Sequence, residues 1–129
     1  MYMLKEATKA AKKAGKLLKR MHGKADQFHK GVGFSAANVV TEADLAAEKI
    51  ILARLKKHFP EHNIFSEEAG LLDNGSAYTW YIDPLDGTAN YARENPVYGT
   101  SIGLAKNGIP ILGVLYFPEF RLMLVGEKE

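Results

Sequence analysis

The sequence predicts an α+β fold, two N-terminal helices packed on an antiparallel twisted sheet, and three observations predict it. Two stretches, residues 1–22 and 39–60, carry apolar residues at helical spacings of three and four. From Tyr98 onward the chain reads as short β runs. Between two of these runs stands Asn107-Gly108, a strong signal for a two-residue hairpin. The chain has 129 residues, 47% hydrophobic and 25% charged, so one globular domain over residues 1–129 can bury a real core.

In the first helix the apolar positions are Leu4, Ala7, Ala11, Ala14, Leu18 and Met21, which leaves the lysines on the other faces. Residues 1–30 hold nine Lys/Arg against Glu6 and Asp26, while the remainder holds eight against thirteen acids. Nucleic-acid binding would use such a basic stripe, but no aromatic residues interleave with it for base stacking, so a solvated helix face is the simpler reading and no nucleic-acid partner is expected. Residues 23–38 show no clean period and read as a loop or short hairpin. Thr41 then reads as the N-cap of the second helix. Ile50, Leu52 and Leu55 help to form its apolar face, Lys56 and Lys57 suit its C-terminal dipole, and Pro60 stops it.

The stretches NIFSEE and YTWYID read as short strands separated by the turn-rich LLDNGSA. YGTSIGLAK, IPILGVLYF and RLMLVGE complete an antiparallel meander, in which Ser101, Gly103 and Ala105 put small residues on one strand face and permit a close approach. The chain has no cysteine, which excludes disulfides and thiolate metal sites. Its N-terminus has no apolar leader, and its longest apolar run is too short to cross a bilayer. A cytoplasmic protein without a membrane partner is the default expectation.

Two pairs of carboxylates carry chemistry. Asp83 and Asp86 flank Pro84-Leu85 and lead into Gly87-Thr88. Asp-Gly alone favours a tight hairpin, but the next residues, TANYARENP, lack the alternation of a returning strand and look like a short helical turn ended by Pro96. The alternatives are an ordinary loop, or a strand end exposing two acids beside a glycine turn whose backbone N–H groups face outward, a place for both a cation and an anion. Glu67 and Glu68 form the second pair, and adjacent glutamates are usually harmless on a surface. If their strand pairs with YTWYID, four carboxylates gather at one edge, and such a cluster needs protons or a cation. Oxygen donors select Mg²⁺, Mn²⁺ or Ca²⁺ over zinc, and a few carboxylates with open positions suit Mg²⁺ held together with a phosphate. Asp44 follows Thr41 as in a capping box; capping and the positioning of a water are both open to it.

These residues carry a family resemblance. YIDPLDGTANY resembles the W-x-I-D-P-[IL]-D-G-T-x-N-[FY] signature of the inositol monophosphatase family, metal-dependent and lithium-sensitive phosphatases. VVTEAD is similar to its L-V-T-x-x-D segment and FSEEAG to its G-E-E segment, in family order, and residues 98–129 resemble its next strands. The resemblance implies the first half of an α/β/α/β/α layered sandwich, a homodimer, and two or three Mg²⁺ ions. It also implies hydrolysis of inositol monophosphate or a related phosphorylated polyol or sugar. It assigns metal binding to Glu67, Asp83, the carbonyl of Leu85 and Asp86. Phosphate binding falls to Asp86 and the amides of Gly87 and Thr88, catalysis to Glu67, Thr88 and Asp44, and tuning of the ligands to Glu68.

Three positions depart from the family pattern: Ser66 stands where glycine is usual, Asn38 where aspartate is common, and Ala89 where threonine is frequent. No counterpart of the W-D-x-A-A-G signature of the family's C-terminal half is present, because the one tryptophan, Trp80, is followed by Tyr81. The resemblance is therefore to the N-terminal half alone. A noncatalytic metal- or phosphate-binding module, or an assembly module, is the alternative function.

Overall fold

A computed structural model describes residues 2–22 and 36–129. Helix α1 (Tyr2–His22) buries Ala7, Ala10, Ala11, Ala14 and Leu18. Helix α2 (Ala36–His58) buries Ala43, Ala47, Ile51 and Leu55, each one turn after the last. Small alanines on both faces let the two helices pack side by side. Ile50 and Leu52, expected on the inner face of α2, flank it and are only partly buried, while Ile51 takes the central position.

The helix begins earlier than Thr41 suggests. Residue 41 already lies inside α2, so Thr41 is not its N-cap and Asp44 is not in its first turn. Residues 36–40 contain no proline or glycine, and Ala36 and Ala37 are strong helix formers that extend the helix past the local capping signal. The connection expected over 23–38 lies for the most part outside the described residues.

Six strands follow: β1 (Asn63–Ser66), β2 (Gly70–Leu72), β3 (Tyr78–Asp86), β4 (Gly99–Lys106), β5 (Ile109–Phe117) and β6 (Leu122–Glu127). A five-residue helix α3 (Thr88–Ala92) separates β3 from β4, and a 3₁₀ turn (Pro118–Phe120) separates β5 from β6. The sheet order is β2-β1-β3-β4-β5-β6. Its pairs are antiparallel except one, because β1 runs parallel to β3, with Asn63 opposite Thr79 and Ser66 opposite Ile82. The short β2, expected as turn, returns antiparallel along β1. Asn107 and Gly108 both have positive φ, 51° and 80°, as the type I′ hairpin requires.

One sheet face meets the helices and carries Ile64, Trp80, Ile82, Ile102, Leu104, Leu112, Val114 and Tyr116, all buried. The small-residue face of β4 is the other one. There Tyr81, Gly103, Gly113 and Gly126 stand in one cross-strand row. Beside that row Phe65 and Tyr81 remain 44% and 48% exposed, and Leu115 and Leu124 are exposed as well. Among the described residues nothing covers this face, and no helix is long and apolar enough to cross a membrane.

Gly15, in the middle of α1, has a packing reason. A Cβ there would lie 2.4 Å from Cδ2 of Tyr116, so only glycine lets the ring rest against the helix backbone. Gly15→Ala gains about 1 kcal/mol of helix propensity but incurs about 1–3 kcal/mol of overpacking against a buried ring. Lower stability in urea unfolding is the expected outcome; a variant as stable as the parent would show that the ring yields freely.

Candidate metal and phosphate site

The direction of β1 builds the site. Because β1 and β3 are parallel, both leave the sheet at the same edge, and Glu67-Glu68 emerge beside Asp83. An antiparallel pair would have sent the two carboxylate pairs to opposite edges.

Strand β3 does not end at Asp83. The register with β4 slips between Asp83, opposite Ser101, and Asp86, opposite Gly99, so Pro84-Leu85 form a bulge inside the strand. Pro84 has no N–H to lose there, and its carbonyl accepts a 2.9 Å hydrogen bond from the buried Thr100 hydroxyl. Pro84 and Leu85 are buried, Asp83 is half-buried and Asp86 is exposed. The Leu85 backbone is hydrogen-bonded to the Asp83 carboxylate.

Gly87 turns the chain with φ 85° and ψ 44° into α3. A Cβ at Gly87 would sit 2.9 Å from the Val97 carbonyl oxygen, so both backbone conformation and space demand glycine. Thr88 opens α3 and is exposed, with no side chain capping the helix. The turn is anchored from behind. Asn90 Nδ2 donates to Val97 O at 2.9 Å, the Tyr91 hydroxyl donates to Leu18 O at 2.8 Å, and His22 Nε2 lies 3.1 Å from Tyr91 O. No hairpin forms at Asp-Gly, as the sequence after it suggests.

Helix α2 brings two further acids. Asp44 is half-buried, and its Oδ1 is fully buried with no hydrogen-bond partner among the described residues. Burial first, then the charges of Glu68, Asp83, Glu48 and Glu67, pushes the Asp44 carboxyl up to about 6. Burial, with Asp86 and Glu67 nearby, likewise raises Asp83, against the lowering effect of its hydrogen bond to Leu85. Glu48 is the residue sequence reasoning missed. It is buried, one turn after Asp44, and its Oε2 accepts the hydroxyl of buried Ser66. That bond gives the Ser66 hydroxyl a buried partner. The signal lay in the i, i+4 spacing of Asp44 and Glu48 on the inner face of α2.

The structure thus brings Asp44, Glu48, Glu67, Glu68, Asp83 and Asp86 into one field of mutual repulsion. It does not gather three of them into a closed metal cage: among the described residues no group of three His, Asp or Glu is placed to hold an ion. The donor set nevertheless fits a hard divalent cation. It is made of oxygens, it carries like charges with no ion pair to a cation among the described residues, and it includes the orphaned Asp44 Oδ1.

Comparison with known proteins identifies the family. Residues 1–128 match the model of the inositol monophosphatase family. The fructose-1,6-bisphosphatase/inositol-1-monophosphatase of Aquifex aeolicus is 38% identical over 128 residues, 97% of this chain and 47% of that protein. The inositol-1-monophosphatase of Synechocystis is 44% identical over 117 residues, 89% of this chain and 40% of that protein. Among solved structures, extragenic suppressor protein suhB from Bartonella henselae superimposes with a TM-score of 0.86 at 30% identity, over 98% of this chain and 48% of that one. Inositol monophosphatase from Anabaena does so with 0.81 at 40% identity, over 98% and 44%. The chain belongs to the inositol monophosphatase family. It spans about half the length of the relatives it matches.

Asp44 makes the stability of the metal-free chain depend on pH. Its folded-state pKa lies above the ordinary 3.8, so between pH about 4 and about 6 the folded chain binds more protons than the unfolded one. Stability therefore falls as pH rises through that window and stays low above it. Asp44→Asn should flatten this slope and stabilise the metal-free chain near neutral pH by on the order of 1 kcal/mol, a value discounted for the group's partial exposure. Urea unfolding with a chelator at about pH 5 and pH 8 reads the slope directly; an unchanged slope in the variant would place the strain elsewhere.

Proposed function

We propose that this chain supplies metal- and phosphate-binding residues for Mg²⁺-dependent hydrolysis of a phosphomonoester, inositol monophosphate or a related sugar phosphate. The observation that carries the proposal is the convergence of like charges from two parallel strand ends beside the Gly87 turn. In this reading Glu67, Asp83, the carbonyl of Leu85 and Asp86 hold two or three Mg²⁺ ions. Mg²⁺ bound there would supply Lewis acidity, lower the pKa of water and neutralise the leaving oxygen.

The chain's own residues do the rest. The amides of Gly87 and Thr88 donate to phosphate oxygens, with Asp86 beside them, and the left-handed glycine lets the backbone come close. The Thr88 hydroxyl and the Asp44 carboxylate orient the attacking water for in-line displacement at phosphorus. Glu68 tunes the field around the ligands. Ser66 and Glu48 fix β1 against α2 directly before Glu67. A cytoplasmic homodimer belongs to the same proposal.

A second reading draws on one observation: no three acids among the described residues form a metal-holding group. On that reading it is a noncatalytic binding or assembly module that offers its open sheet face to a partner, since exposed apolar surface of this kind promotes association.

Turnover separates the two. With purified chain, inositol 1-phosphate and Mg²⁺, phosphate release that is inhibited by Li⁺ and lost about 100-fold or more in Asp86→Asn supports catalysis by these residues. No release, under conditions where a full-length relative is active, supports the binding module.

A further inference from the structure

A second concave surface lies outside the carboxylate site, between α1 and the β5–β6 end of the sheet. Lys12, Lys16 and Lys19 follow one another at spacings of four and three along α1, and so share one helix face. Together with Arg121 they line a cavity of about 480 Å³, a volume in the range of small-molecule sites. Its apolar floor includes Tyr116 and Met123. The floor is preformed, because Gly15 lets the Tyr116 ring lie directly against α1. Arg121 is held in the left-handed region at φ 49° and ψ 38°, an uncommon backbone state for a residue that is not glycine.

Among the described residues no acid lines this cavity. Glu119, two residues before Arg121, turns inward instead, where its Oε2 accepts the Tyr98 hydroxyl at 2.8 Å and lies 3.1 Å from His22 Nδ1. Four cations thus share one concavity with no counter-charge among its lining residues, and focused like charge of this kind attracts anions. The groove between α1 and α2 differs. It is also rich in lysine, but buried Glu6 pairs there with Arg54 at 2.8 Å and with Lys9 at 4.0 Å.

We propose that the groove of Lys12, Lys16, Lys19 and Arg121 binds a compact polyanion, a small molecule carrying two or more linked phosphate or sulfate groups. The lysines and the arginine take the charged groups, and the face of Tyr116 and Met123 takes any apolar part. The small volume of this half-open concavity and the absence of aromatic residues interleaved with Lys12, Lys16 and Lys19 along α1 favour such a ligand over a nucleic-acid strand. The site stands whether or not the carboxylate site is catalytic.

The test is calorimetric titration of inorganic tripolyphosphate into the full chain, with chelator present so that no divalent cation bridges the ligand to the carboxylates. Saturable one-to-one binding is expected. The double variant Lys12→Glu/Lys16→Glu should weaken it by about tenfold or more, as should the milder Arg121→Gln, which decides the matter should the double variant fail to fold. Lys49→Glu/Lys57→Glu, which changes net charge as much but alters the other groove, should weaken it by less than about threefold. Absence of saturable binding, or equal weakening by the two double variants, would overturn the proposal. So would tighter binding of a single-stranded oligonucleotide with the same sensitivity to Lys12 and Lys16, which would make the stripe a nucleic-acid surface.

Discussion

Four register pairs, from Asn63 opposite Thr79 to Ser66 opposite Ile82, hold β1 parallel to β3, and the carboxylate site depends on that direction. Parallel strands finish at the same edge of a sheet, so Glu67-Glu68 and Asp83 arrive together without any long-range instruction beyond the pairing itself. The bulge at Pro84-Leu85 then sets a half-buried Asp83 and an exposed Asp86 on either side of a fixed bend, pinned by the Thr100 hydroxyl. Helix α2 closes the arrangement from above. Its inner face delivers Asp44 and Glu48, and the bond from Ser66 to Glu48 ties that face to the strand end it covers.

Such an assembly is electrostatically costly by itself. Burial and like charge both raise Asp44 and Asp83, and Asp44 keeps a buried oxygen without a partner among the described residues. A fold that places acids this way gives up stability for a place where positive charge is wanted. The Gly87 turn, backed by Tyr91, Asn90 and His22, adds a rigid backbone elbow next to those acids.

Much of this was legible in the chain. The type I′ hairpin at Asn107-Gly108, both long helices and the helical turn after Gly87 follow from local chemistry, and DPLDGT stands out because two acids around a proline suit no ordinary hairpin. Features set by distant partners were less visible. Thr41 looks like a cap because capping is local, whereas the actual start of α2 depends on the alanines before it. Strand β2 is three residues long and exists through its pairing with β1. Glu48 shares a helix face with Asp44 in the sequence, but its burial follows only once β1 brings Ser66 against it. The small residues of β4 promised a close neighbour, but α1 and α2 took the opposite face, and the row from Tyr81 through Gly103, Gly113 and Gly126 stays open among the described residues.

At the centre of this account is the proposal that two strand ends form one cation site. Paramagnetic broadening by Mn²⁺ in amide NMR spectra of the chain tests it most directly, because Mn²⁺ takes the same oxygen donors as Mg²⁺ and marks every amide near it. The account predicts that signals from residues 66–68 and 82–88 broaden together at the same Mn²⁺ concentration. Broadening confined to one of the two segments, or scattered over unrelated surface acids while both remain sharp, would contradict it.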